Sequence, residues 1–503
     1  MGGNGRFLRG AAILTAAVFL TKLLGAVYKI PLGRALGSAG MAHFYAAYNV
    51  YNTVLLLTTS GMTVALSTLT AAARPHPGRA GRIFSTALLL MTALGLVGGG
   101  AMLLLAKPLA AALHDGGAAP AIAALAPGVA CVCLMTPLRG ATQGMGDMAP
   151  TAVSQVAESA VKLMVGLGLA LLAVGRNLGP EMAAAGAVAG VTAGELAGLL
   201  CLLPQRRRIP PADDTPRRAI LRQLFAVAAP ITVGGVGMSL ITVLDQSLTM
   251  AALQRTMTAA QAAEQYGYYT YGLTLFVLPP SLLMPVTASL IPPIARYTAA
   301  GQPGRAGRLC RSALRLAGLI AFPLGLGLSA LAHPILALFY GETTAAFAAP
   351  HLQILGASSA AVGLMGVCTG MLQAKGRPRA PLVALGLGAA VKIALNVTLV
   401  PRMGVQGAAW ATAGCYGLAA TVDLLLVGRA VPGLWTELLP GAAAGAVMAL
   451  AAPGCCRLMA RTVPGPWAVV TAAAVCAAVY AATALALGAV TREDVARLRG
   501  RGR

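Results

Sequence analysis

The chain has 503 residues, of which 57% are hydrophobic and only 10% charged, and its mean hydropathy is +0.76. That composition excludes an ordinary water-soluble protein and makes lipid the expected solvent. A net charge of +23 would suggest a nucleic-acid partner in a soluble chain, but aromatics make up 5% and no basic stripe interleaves with them, so no nucleic-acid partner is expected.

Taking roughly 20 apolar residues as one crossing, the sequence reads as an all-α polytopic membrane protein with about fourteen spans. The first six lie near 11–33, 45–69, 83–105, 121–141, 151–174 and 184–204. Arg6 and Arg9 precede the first of them as in a signal peptide. Lys22 interrupts the apolar region and no clean small-x-small site follows, so this segment is expected to stay as a span. The second six lie near 222–250, 267–292, 312–332, 350–373, 381–400 and 404–428, and two more near 437–456 and 467–489.

Positive charge tests the count, because cytoplasmic loops carry the excess of Lys and Arg. One set of alternate loops holds Arg74, Arg79, Arg82, Arg139, the run from Arg206 to Arg222, Arg296, Arg305, Arg308, Arg311, Lys375, Arg377 and Arg379, with Arg6 and Arg9 before them and five arginines in the tail. The opposite loops hold Arg34, Lys107, Arg176, Arg255, Arg402, Arg457 and Arg461. Both termini are therefore expected in the cytoplasm, as an even number of spans requires.

The two sets of six are copies. Pro77-Gly78-Arg79-Ala80-Gly81-Arg82 recurs letter for letter as Pro303-Gly304-Arg305-Ala306-Gly307-Arg308, a shift of 226, and Lys107-Pro108 answers to His333-Pro334 at the same shift. At a shift of 230, Gln143, Gly146 and Lys162 answer to Gln373, Gly376 and Lys392. Ordered landmarks of this kind mark an internal repeat. With six spans each, the copies enter with the same orientation, so a pseudo-two-fold along the membrane normal and a cavity between lobes are expected. The expected division is a first lobe over 1–204, a proline-rich linker over 205–221, a second lobe over 222–430, two additional helices over 431–490 and a basic tail over 491–503.

Ionisable residues inside spans are candidates for function, because a charge in the membrane needs a wet cavity or a partner. Lys22 and Lys29 sit seven residues apart on the first span, hence on one helix face; Lys29 also suits the outer interface. Glu158 and Lys162 have the i, i+4 spacing of a helix pair, whereas Lys392, the counterpart of Lys162, has no acid four residues before it. Asp245 on the seventh span and Glu195 on the sixth suit either a coupling cation or structural ion pairing. Tyr48, Asn49 and Asn52 on the second span offer hydrogen bonds to sugars. Tyr268, Tyr269 and Tyr271 at the start of the eighth span offer the same, and read more commonly as an interface belt. Pro279, Pro280, Pro285, Pro292 and Pro293 predict a bent eighth span.

No enzyme constellation accompanies these residues. The five histidines are dispersed, the nine cysteines have neither metal nor disulfide spacing, and Gly98-Gly99-Gly100 lacks the Gly-Lys-Ser/Thr ending of a phosphate loop. Neither a catalytic residue, a metal nor a cofactor is expected.

Thr21-Lys22-Leu23-Leu24-Gly25 through Tyr28-Lys29-Ile30-Pro31 and Leu36-Gly37, together with Leu278-Pro279 through Ser289-Leu290-Ile291-Pro292, carry a resemblance. The chain resembles the polysaccharide biosynthesis branch, with the stage V sporulation protein B-like and MurJ-like lipid flippases, of the superfamily that also holds multidrug-and-toxin extrusion transporters. The resemblance covers nearly the whole chain. It implies two six-helix lobes plus two helices, and a polyprenyl-pyrophosphate carrying sugars as substrate, either an oligosaccharide or a lipid II-like peptidoglycan precursor. On that resemblance Lys22 and Lys29 hold the pyrophosphate, as point charges where relatives more often carry arginine. Gly272 stands near a basic position of the MurJ branch, which favours the sporulation-type branch.

The expected function is therefore a flippase working by alternating access as a monomer, with membrane lipids and cell-wall synthesis proteins as partners. Na+, H+ or the membrane potential would couple it, if transport is coupled. The competing readings are a multidrug cation antiporter, disfavoured by four lysines in spans and by fourteen helices rather than twelve, and a membrane glycosyltransferase, disfavoured by short outer loops.

Overall fold

The computed structural model describes residues 2–489 except Pro378, Pro432 and Pro464, and leaves out the side chains of residues 2–13 and of scattered positions in three helices, Lys22 among them. The tail expected over 491–503 lies outside the described residues. The chain divides into two compact units, Met1–Gly267 and Tyr268–Arg503.

The first unit begins with α1 (Gly2–Thr59), which is two helices joined at Gly37. Gly37 has φ 65° and ψ −177°, a conformation that only glycine adopts without strain. The second span therefore starts at the bend, earlier than the apolar pattern alone suggests. It breaks at Ser60-Gly61 and resumes as α2 (Met62–Ala72). Then come α3 (Pro77–Leu104), the short α4 (Ala106–Ala112), α5 (Ala119–Gly144), α6 (Ala149–Gly175), α7 (Gly179–Leu202) and α8 (Arg217–Leu253). The helix α9 (Ala259–Phe276) runs across the boundary between the units.

The second unit continues with α10 (Leu278–Ala299), α11 (Pro303–Ala330), the short α12 (Ala332–Tyr340), α13 (Glu342–Ala374), α14 (Arg379–Met403), α15 (Val405–Ala430), α16 (Leu439–Thr462) and α17 (Trp467–Ala486). Among the described residues, eleven segments are long and apolar enough to cross a membrane. This is a multi-pass membrane protein.

The eighth span differs from a single bent helix. It stops at Phe276 and restarts as α10, with prolines in the first turn. A proline there loses no helical bond, since its missing N–H would be unpaired in any case.

The repeat is visible inside each unit. In the first, α3 packs on α5, α5 on α7, and α6 on α7; in the second, α11 packs on α13, α13 on α15, and α14 on α15. Both copies of the hexapeptide open a helix with proline at its start. Gly146 and Gly376 both turn the chain with positive φ, 89° and 76°. Lys107-Pro108 and His333-Pro334 both lie in the short helices, α4 and α12.

The hexapeptide also serves a shared purpose. In the first copy it holds the linker: the Asp213 N–H donates to the Gly78 carbonyl at 3.0 Å and Arg82 Nε donates to the Thr215 carbonyl at 2.8 Å. A Cβ on Gly81 would stand 2.2 Å from the Pro210 carbonyl oxygen. In the second copy Gly307 faces Val431, in the segment that follows α15. In both copies the chain that leaves the repeat's last helix packs against the hexapeptide, and in the first it is also hydrogen-bonded there. Gly81→Val is expected to lift the linker off α3, because the backbone it meets cannot rotate away. Limited proteolysis of the intact protein checks this, with faster cleavage across 205–216 than in the parent chain.

Candidate functional site

Of the sequence-predicted polar residues of the first unit, Glu158, Lys162 and Glu195 converge where α1, α5, α6 and α7 pack. Aromatic residues at i, i+4 and i+7 on the second half of α1 form one stripe: Phe44 stacks on Tyr48 at 5.8 Å between ring centroids, and Tyr48 lies 6.1 Å from Tyr51. Tyr28, from the first half of α1, is 2% exposed and donates its hydroxyl to the Ala187 carbonyl of α7 at 2.8 Å.

Two lysines present their ammonium groups to these rings. Lys29 donates to the Tyr45 hydroxyl at 3.1 Å, with its ammonium 5.1 Å from the ring centroid. Lys162 of α6 sits over Tyr28 at 5.6 Å and over Tyr48 at 5.0 Å. A ring face attracts a cation without neutralising it, so the positive charge persists for an incoming anion.

The acids nearby are held elsewhere. Glu158 does not form the ion pair expected four residues along its own helix. Its partner is Arg139 of α5, with Nη2 3.0 Å from Oε2, and Arg139 Nε also donates to Ser154 at 3.1 Å. A guanidinium from the neighbouring helix offers a fork that a flexible ammonium on the same helix does not. Glu195 of α7 is 6% exposed and accepts a hydrogen bond from the Tyr51 hydroxyl at 3.2 Å, within electrostatic reach of Glu158, Arg139 and Lys162. Arg139, Lys162, Glu158 and Glu195 balance to zero formal charge, with the second cation facing rings rather than acid.

Glycines on α7 make this packing possible. Gly186, Gly190, Gly194 and Gly198 recur every fourth residue, so they line one face against α6. A Cβ on Gly190 would stand 2.2 Å from the Gly166 Cα, and one on Gly194 would stand 2.5 Å from the Glu158 carbonyl oxygen. Gly166 in turn clears space for the Tyr28 hydroxyl.

The remaining predicted residues fall as follows. Lys22 lies on α1, but its side chain is outside the described residues. Asn49 donates to Gln246 of α8 at 2.8 Å, and one turn on Thr53 meets Ser239 at 2.7 Å, so these residues fasten α8 to α1 within the first unit. Asn52 is half-buried on α1. Asp245 is buried on α8. Lys392 is 7% exposed on α14, in the second unit, and the fully buried Tyr269 bonds Thr412 of α15 at 2.9 Å. Tyr269 and Tyr271 are therefore core residues of the second unit rather than an interface belt; Tyr271 packs on Tyr340 at 4.5 Å.

Sequence reasoning missed Arg139, which it assigned to a loop on charge alone, and Tyr28, Tyr45 and Tyr51. It also missed the buried pair His43–Asp115, 2.6 Å apart, which joins α1 to the segment after α4. The last residue of α4, Ala112, offers its carbonyl to Ser247 of α8 at 2.7 Å.

The family profile described as polysaccharide biosynthesis protein matches residues 7–298, and the MatE profile matches 230–398. The lipid II flippase MurJ of Bacillus subtilis is 25% identical over 85% of this chain and 83% of its own length. Stage V sporulation protein B of the same organism is 27% identical over 85% and 84%. Among solved structures, one of lipid II flippase MurJ in an inward closed conformation superposes with TM-score 0.73 at 12% identity, covering 96% of this chain and 99% of that one. An inward-facing multidrug resistance transporter of the MATE family gives 0.71 at 16% identity, over 83% and 96%. The helical fold is that of these transporters, and the profile match over more than half of its length places the chain in the polysaccharide biosynthesis protein family.

Proposed function

We propose that this protein moves a polyprenyl-pyrophosphate-linked oligosaccharide or peptidoglycan precursor across the bacterial cytoplasmic membrane by alternating access. The observation that carries this reading is the Lys162 ammonium over two tyrosine rings, while the neighbouring Glu158 carboxylate is engaged by Arg139. Such a group suits a pyrophosphate, with Lys29 and Lys22 adding charge along α1 and Asn52 adding a sugar contact. Similarity to a lipid II flippase and to a sporulation protein over most of the chain supports the substrate class. The lobes are proposed to span 1–204 and 222–430, both termini to face the cytoplasm, Lys392 to be a further substrate contact, and Glu195 and Asp245 to be the places where Na+, H+ or the membrane potential acts.

A multidrug cation antiporter is the second reading, favoured by the MatE match and by the buried Glu195 carboxylate. Native mass spectrometry separates the two. The purified protein is offered an undecaprenyl-pyrophosphoryl disaccharide-peptide together with an organic cation, with Lys22→Ala and Lys162→Met alongside. Retention of the lipid by the parent chain, and at least tenfold less by Lys162→Met, is expected from the loss of a charged contact worth about 1.5–3 kcal/mol. Retention of the organic cation alone would instead support the antiporter.

A further inference from the structure

Beside the strapped linker lies a cavity of about 490 Å³ that the transport reading does not use. Phe84, Leu88 and Leu89 of α3 form its apolar wall, Thr92 lies a turn deeper, and Arg206 and Arg217 border its mouth. The two arginines come from opposite ends of the linker, yet they meet at one opening because the intervening chain folds back onto the hexapeptide. We propose that this cavity binds an anionic phospholipid, with its phosphate between Arg206 and Arg217 and an acyl chain along the α3 wall.

Three observations favour that occupant. Both arginines are exposed, and among the described residues no ion pair holds either one, whereas their neighbour Arg208 is engaged by Asp147 at 3.4 Å. The strap holds two carboxylates, and among the described residues neither is ion-paired to Arg206 or Arg217: Asp214 is exposed, while Asp213 accepts from the Thr215 N–H at 3.0 Å, and Thr215's hydroxyl and N–H hold its carboxyl below the ordinary range, with Arg82 and Arg79 adding to the effect. The wall beneath the charges is apolar and open outward, with Leu89 58% exposed, so it is shaped for an acyl chain rather than for a free anion. Basic residues at the ends of spans recognise anionic headgroups in this manner. A lipid seated here would clasp the two ends of the linker together. The proposal does not depend on the identity of the transported substrate.

The test uses the delipidated full-length protein in neutral detergent, titrated with phosphatidylglycerol, phosphatidylcholine or inorganic phosphate and read by native mass spectrometry. Phosphatidylglycerol is expected to bind in preference to phosphatidylcholine. Arg206→Gln combined with Arg217→Gln is expected to weaken it about thirtyfold, at about 1 kcal/mol per arginine near a lipid headgroup. Arg461→Gln, a basic residue outside the linker, should leave it unchanged. Each arginine is exposed, so the variants should fold, and an unchanged unfolding midpoint in phosphatidylcholine checks that they do. Equal binding of the two lipids, full retention by the double variant, or displacement of phosphatidylglycerol by millimolar phosphate would overturn the proposal, the last pointing to a free-anion site.

Discussion

Gly190→Val is expected to destabilise the first unit by about 3 kcal/mol or more, and in cells to abolish accumulation of the protein. The new Cβ would meet the Cα and N of Gly166 at 2.2 and 2.3 Å, so backbone faces backbone and no side-chain rotation relieves the clash. Helices α6 and α7 would have to separate, and Tyr28, bonded to Ala187 of α7, would lose its seat beneath Lys162. Gly168→Val is the matched control. It lies on α6 with nothing within 4 Å of its Cβ position, and it should unfold at the parent temperature. Thermal unfolding of both variants in the same detergent settles the comparison.

Arg139→Leu is expected to cost about 2 kcal/mol. Removing one partner of a well-buried ion pair costs about 3–5 kcal/mol. The side chains here are 16% and 26% exposed, so solvent screens part of the loss. The variant would leave Glu158 and Glu195 with Lys162 as the nearby cation and draw its ammonium from the tyrosine faces. Adding Glu158→Leu should restore most of the stability, which makes the pair a double-mutant cycle with a coupling of about 1–3 kcal/mol. If the double variant is less stable than the sum of the single ones, the pair is not the organising contact of the cluster.

These residues also mark what the sequence discloses and what it conceals. Apolar runs locate the spans, because a membrane crossing is a one-dimensional property of the chain. The repeat is legible because both copies of the hexapeptide open a helix with proline and because Gly146 and Gly376 turn the chain at a positive φ that favours glycine. The glycine ladder of α7 is equally legible by its spacing of four, although alanine and glycine abundance masks it in a chain with 61 glycines. The partner of Glu158 is not legible. Spacing along α6 points to Lys162, and only the packing of α5 against the other helices brings Arg139 within 3.0 Å. Phe44, Tyr48 and Tyr51 share a face by spacing alone, but that Tyr28 and Lys162 join them depends on the bend at Gly37 and on the approach of α6. Tyr269 and Tyr271 mislead for a related reason: tyrosine at a helix start suits an interface, while here neighbouring helices cover it.

The most direct test of the central claim is translocation in reconstituted vesicles, following a polyprenyl-pyrophosphate-linked saccharide from one leaflet to the other for the parent chain and for Lys162→Met at matched unfolding temperature. The account predicts that the parent protein moves the lipid and that the variant does so at least tenfold more slowly. Movement at the parental rate by the variant, or no movement of the lipid by the parent protein, would contradict it.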